Sequence, residues 1–245
     1  MVYSRFSIRE RPVGVPPPEP VTIAVDDARR ISALLQVPPE ARACYVLAHG
    51  AGAGMDHPFM SSVAEGLAER GIATMRYQFP YMEKGAKRPD PPAVAHATVR
   101  AAVAEVARRL RDVALIAGGK SYGGRMTSQA HADSPLPQIR GLAFLGFPLH
   151  PSKQPSRERG EHLAKVRVPM LFMQGTRDTL ADLEELRPLV HGLKDRATLK
   201  LLQDADHSFH VPARSGRNDV EVRAEMLDAL ADWIKSVAAT SARRR

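Results

Sequence analysis

The sequence predicts an α/β domain: a central parallel sheet with helices packed on both faces. Three runs carry that reading, Tyr45-Val46-Leu47-Ala48, Ala114-Leu115-Ile116-Ala117 and Met170-Leu171-Phe172-Met173, all apolar without alternation. Such runs are what strands covered on both faces look like. A second observation is rhythm, because strand-like runs alternate with amphipathic helical ones from about residue 21 to 237. The third is size and composition: 245 residues, 44% hydrophobic and 25% charged. A chain of this length buries roughly three-quarters of its unfolded surface, enough for one large domain without a disulfide or metal staple.

Taken in order, the predicted strands are Val21–Val25, Ile31–Val37, Ala43–Ala48, Ile72–Phe79, Val113–Ala117, Gly141–Gly146, Met170–Gln174 and Thr198–Leu202. The last one alternates, Leu199 and Leu201 against Thr198 and Lys200, as a more exposed edge does. Between strands, Phe59, Val63 and Leu67 recur every four residues, and Gly71 stops that helix. Val99, Val103, Val106 and Leu110 form a second stripe. Residues 182–193 have a helical pattern that Pro188 restarts or kinks. A closing helix over about 219–237 places Val222, Met226, Leu230, Trp233 and Val237 on one side.

The prolines at 16–18 and 20 set off a flexible segment, 1–20, from a domain over 21–238, followed by a basic tail, 239–245. Residues 1–20 lack the apolar middle region of a secretory signal. No run of about 18 apolar residues exists, which excludes a membrane-spanning helix. The single cysteine, Cys44, fits a reducing compartment, and a cytoplasmic location is expected. Net charge is +8, a value that invites a nucleic-acid reading. Its placement argues otherwise: residues 1–12 carry +2 and residues 241–245 carry +3. No nucleic-acid partner is expected, and no membrane partner.

The chemistry is written after the strand ending at Ala117. Gly119, Ser121 and Gly123 satisfy G-x-S-x-G between a strand and a helical segment. A sharp turn lifts the serine hydroxyl clear of the sheet, and a side chain at either flank would strike a neighbouring element. The Tyr122 N–H then opens the helix where an oxyanion would form. Gly119-Lys120-Ser121 also resembles the tail of a phosphate-binding loop. That reading fails, because its first glycine falls on Ala114, within a strand. A glycine-rich turn with an incidental serine is the plain structural alternative.

A serine needs a base to take its proton and an acid to orient that base. Asp178 follows the strand Met170–Gln174, and His207 follows Thr198–Leu202. Both stand at strand ends in the chain order Ser, Asp, His expected of doubly wound hydrolases. His210 is the rival base and Asp182 the rival acid. Asp204, Asp206, His207 and His210 do not have the spacing of a zinc helix, so no metal is expected, and no other cofactor. The loop His49–Gly54 offers a second oxyanion donor, Ala51 N–H first and Gly52 next. His49 itself reads as a structural hydrogen-bonder. Phe79, Tyr81 and Met82 are read as an apolar wall for substrate.

Five strings, HGAGAGMDHPFM, GGKSYGGRM, LGFPLHP, QGTRD and ADHSF, together resemble the α/β-hydrolase superfamily, in its dienelactone-hydrolase-like branch. Closer still, they resemble a family of predicted hydrolases that includes a testis-expressed protein and a chromatin acetyltransferase complex subunit. The resemblance covers about residues 21–237. It implies an eight-stranded, mostly parallel sheet, with Ser121 as nucleophile, Asp178 as acid and His207 as base. Dienelactone hydrolases use cysteine where this chain has Ser121, which sets dienelactone aside as the substrate. Cap domains in this superfamily usually follow the strand that here is Gly141–Gly146. Too few residues lie there for one, so no cap domain and a fairly open site are expected.

The expected function is a serine hydrolase that cleaves a small-molecule carboxylic ester or thioester through an acyl-enzyme. A non-catalytic binding or scaffold protein on the same fold is the alternative. Residues 149–167 hold Lys153, Arg157, Arg159, Lys165 and Arg167 against Glu158 and Glu161. That surplus reads equally as a preference for anionic acyl substrates or as a solvated loop.

Overall fold

The computed structural model describes residues 15–242. Its eight strands are β1 (Glu19–Ala24), β2 (Arg30–Gln36), β3 (Ala43–Ala48), β4 (Ala73–Tyr77), β5 (Ala114–Lys120), β6 (Ile139–Leu145), β7 (Met170–Gly175) and β8 (Ala197–Leu202). They form one sheet in the order β1-β2-β4-β3-β5-β6-β7-β8. Only β2 runs antiparallel to its neighbours; from β4 to β8 every pairing is parallel. The three unalternating runs lie in β3, β5 and β7, inside the sheet, and the alternating run is the edge strand β8.

Six helices cover the sheet: α1 (Pro58–Glu69), α2 (Pro80–Glu83), α3 (Pro92–Arg109), α4 (Tyr122–Asp133), α5 (Leu183–Gly192) and α6 (Asp219–Ala242). Alternate residues of each strand feed two cores. Cys44, Val46 and Ala48 of β3 pack toward α3, α4 and α5. Ala43, Tyr45 and Leu47 pack toward α1 and α6, where they meet Met60, Val63, Leu67, Met226 and Leu230. Phe144, Phe147 and Phe172 are fully buried and mutually packed at 4.9–5.8 Å between ring centroids. Burying an aromatic side chain of this size is worth about 2–3 kcal/mol.

Several boundaries differ from the sequence reading. β1 begins at Glu19, inside the segment expected to be flexible, and Pro16 O accepts from Gln36 Nε2 at 2.8 Å. α6 continues to Ala242, into the expected tail; the calls on residues 1–14 and 243–245 lie outside the described residues. α5 runs through Pro188 as one helix. β5 extends through Gly118-Gly119-Lys120, three residues read as turn, because glycine backbones there pass against β3 and β6. Between β6 and β7 stands only a 3-10 helix, Glu158–Lys165, and no inserted domain. No helix of the described residues is long and apolar enough to cross a membrane.

Candidate active site

Parallel strands deliver their carboxyl ends to one edge of the sheet, so β3, β5, β7 and β8 all end at the same mouth. Ser121 follows β5 with φ 50° and ψ −116°, a conformation that costs a non-glycine residue about 1–3 kcal/mol. Close packing over-determines it. A Cβ on Gly119 would stand 2.3 Å from Ala48 O, and one on Gly123 would stand 2.6 Å from both Ala48 O and His49 O. Only bare glycines at the two flanks let the turn sit against β3, the collision anticipated from the motif.

Ser121 occupies the N-cap position of α4 but its side chain caps nothing. Its Oγ faces His207 Nε2 at 2.9 Å instead, and His207 Nδ1 lies 2.7 Å from Asp178 Oδ2. A carboxylate only accepts, so Nδ1 is the donor toward Asp178 and Nε2 is the ring nitrogen turned to the serine hydroxyl. The Asp178 side chain is fully buried. It also accepts from Leu180 N–H at 2.8 Å and from Gln174 Nε2. Three hydrogen-bond partners therefore fix the carboxylate in direction. The three residues arrive from β5, β7 and β8, and the loops bearing the last two are tied by Arg177 N–H to Ala205 O at 2.9 Å and Asp204 N–H to Thr176 Oγ1 at 2.8 Å.

The loop after β3 closes the other side. A Cβ on Gly50 would be 3.8 Å from Ser121 Cβ, so this backbone passes directly beside Ser121. Gly52 N–H is engaged by Tyr81 Oη at 2.9 Å. Neither Ala51 N–H nor Tyr122 N–H has an acceptor among the described residues. His49 is fully buried beneath the loop, with Nδ1 2.7 Å from Gly50 O and Nε2 accepting from Phe79 N–H at 3.1 Å. Burial pushes its pKa down to about 4, so it is a neutral strut and does not act as a base.

Two of the three residues expected to form a substrate wall look different in the structure. Phe79 is fully buried, edge-on to His49 at 5.0 Å, and Tyr81 is 2% exposed. Both support the loop from below instead of forming a substrate wall; only Met82 of that trio is partly exposed. A ring in a loop after a strand carries no sequence mark of which way it points. The rivals face other groups: His210 Nδ1 pairs with Asp219 at 2.8 Å, and the Asp182 carboxylate lies 3.7 Å from His150 Nε2. Asp206 Oδ1 accepts from Ser208 and His210 N–H groups within its own turn, so the Asp204–His210 carboxylates and imidazoles do not converge on a common point.

Two neighbours of the triad were not singled out as site residues from sequence. Gln174, fully buried at the end of β7, donates to Asp178 and accepts from Phe147 N–H at 2.9 Å. Lys120 Nζ donates to His207 O at 2.6 Å and lies 5.2 Å from the centre of the Phe209 ring. Burial pushes its pKa down to about 8, against the pull of Asp178 and Asp206.

Residues 41–235 match the alpha/beta hydrolase domain family. Solved structures with the same fold include an α/β serine hydrolase without a lid from Xanthomonas campestris, at 18% identity and TM-score 0.68, covering 89% of this chain and 95% of that one. A dienelactone hydrolase from Anabaena variabilis matches at 18% identity and TM-score 0.72, over 89% and 98% of the two chains. Esterase 2 of Thermogutta terrifontis, solved phosphoramylated by tabun, matches at 18% identity and TM-score 0.70, over 91% and 95%.

Proposed function

The chain belongs to the alpha/beta hydrolase domain family, and on that premise we propose that it is a serine hydrolase cleaving a carboxylic ester or thioester through an acyl-enzyme on Ser121. The observation that supports this best is the continuous chain Ser121–His207–Asp178, with separations of 2.9 and 2.7 Å. Ser121 Oγ attacks the carbonyl carbon as His207 Nε2 takes its proton. Asp178 stabilises the imidazolium that forms, and the oxyanion meets the N–H groups of Ala51 and Tyr122. His207 then passes the proton to the departing alcohol or thiol, leaving the acyl group on Ser121. A water activated by the same histidine attacks that acyl group and releases the acid.

An organophosphorus electrophile modifies the Thermogutta esterase, and the same class of reagent is the first test here. A fluorophosphonate probe is expected to label wild-type protein at Ser121 and to leave Ser121→Ala unlabelled. The same substitution should lower kcat on short acyl esters by roughly 10⁴–10⁶. Absence of labelling, or an unchanged esterase rate in Ser121→Ala, would refute the proposal and favour a scaffold role.

A further inference from the structure

Close to the triad the protein holds positive charge that it does not itself neutralise. Arg125 lies one turn after Ser121 on α4, its N–H bonded to Ser121 O at 3.1 Å. Helical side chains lean toward the N-terminus, so a residue at this offset covers the turn that bears the nucleophile. Its guanidinium makes no ion pair or hydrogen bond among the described residues, and Nε is buried without a partner. The terminal nitrogens of other arginines find partners: buried Arg76, whose Nε is likewise unpartnered, reaches Met55 O and Ser61 Oγ through Nη1, and Arg217 reaches Glu225. Burial and then a second guanidinium, that of Arg159, hold the Arg125 pKa below its usual range.

Arg159 is itself half-buried on the 3-10 helix Glu158–Lys165, without a carboxylate partner among the described residues. Ser128 Oγ and His162 Nε2, 2.8 Å apart, pin that helix to α4, which keeps the two cations near one another. Tyr122 supplies a third group. Its hydroxyl is buried without a partner, and burial pushes its pKa up to about 12, so it stays a donor at neutral pH. Unpaired buried cations cost several kcal/mol. Arg125 is one such cation, and with the half-buried Arg159 and the unsatisfied Tyr122 hydroxyl near it the cluster complements an anion with more than one acceptor oxygen.

We propose that Arg125, Arg159 and the Tyr122 hydroxyl form a subsite for a carboxylate on the acyl part of the substrate, so that the preferred esters are monoesters of short dicarboxylic acids. The helix keeps the acyl part short, because only about one turn of α4 separates Ser121 from Arg125. The inference rests on the esterase reading above and narrows it. Arg157, another cation of the same segment, plays no part, being paired with Glu185.

The test compares monomethyl adipate with methyl hexanoate, esters alike in length that differ in the terminal carboxylate. Wild-type kcat/KM is expected to favour the adipate by about tenfold or more, the range of a charge-assisted pair. Arg125→Met and, separately, Arg159→Met should each bring that ratio toward one, chiefly through KM. The two variants sit on different elements, so loss of folding in one leaves the other informative. A wild-type ratio of one or below, or variants that slow both esters equally, would overturn the subsite. Fluorophosphonate labelling reports separately: protein that labels at Ser121 and hydrolyses both esters alike loses only the subsite. Protein that neither labels nor hydrolyses loses the esterase reading and the subsite with it.

Discussion

Gln174 illustrates how much of the candidate site lies one residue back from the Ser121–His207–Asp178 chain. Its amide has two ends, and both are used: Nε2 donates to Asp178 and Oε1 accepts from Phe147 N–H. Replacing it by leucine removes a donor from the carboxylate and orphans a buried N–H, a loss of about 1–3 kcal/mol of stability. In Gln174→Leu we expect a lower urea midpoint and a kcat reduced about tenfold with KM little changed, read from unfolding curves and steady-state kinetics. Ser121, Asp178 and His207 were legible in the sequence because nucleophilic chemistry needs scarce residue types at strand ends in a fixed order. Gln174 was not, since a glutamine closing an apolar strand gains its meaning only from the atoms that folding sets beside it. Phe79 and Tyr81 failed in the opposite sense: their bulk was legible, but their inward direction was not.

Secondary-structure elements were read most accurately where hydrophobic pattern alone decides them. β3, β5 and β7 carry unbroken apolar runs and lie inside the sheet. The 3-10 helix Glu158–Lys165 carries no comparable stripe and was read only as a charged segment. Its anchorage is polar, through His162 to Ser128. Burial first, and then the positive charge of Arg125, push the His162 pKa down to about 4. A histidine so depressed is neutral in the folded protein and protonates in the unfolded chain below about pH 6.5. The unfolded state therefore binds more protons between about pH 6.5 and 4, and stability falls on acidification through that window. Fully buried His49 acts in the same direction, each group contributing at most about 1.4 kcal/mol per pH unit, and half-buried His162 less. Urea midpoints at pH 7 and pH 5 should show this fall, and His162→Gln should make it shallower.

Across the whole molecule, topology decides what the chemistry depends on. Strand order could not be derived from local pattern, because hydrophobic runs state that a strand is buried without naming its neighbours. The formal charge of +8 was legible as a number, yet its bearing on the site reduced to two guanidiniums that only packing identifies. Order in the sheet has one more consequence. Ser121 hangs from β5, deep between β3 and β6, whereas His207 hangs from β8, which has a single neighbour and is mostly half-exposed. Edge strands are the first to open, with free energies well below that of global unfolding. Warming should therefore detach His207 from Ser121 while the remaining strands stay paired. Residual hydrolysis, assayed at the temperature of exposure, is expected to vanish several degrees before far-ultraviolet ellipticity declines and to return on cooling; coincident losses would contradict this. The protein would then carry a reversible thermal cut-out, seated in its outermost strand.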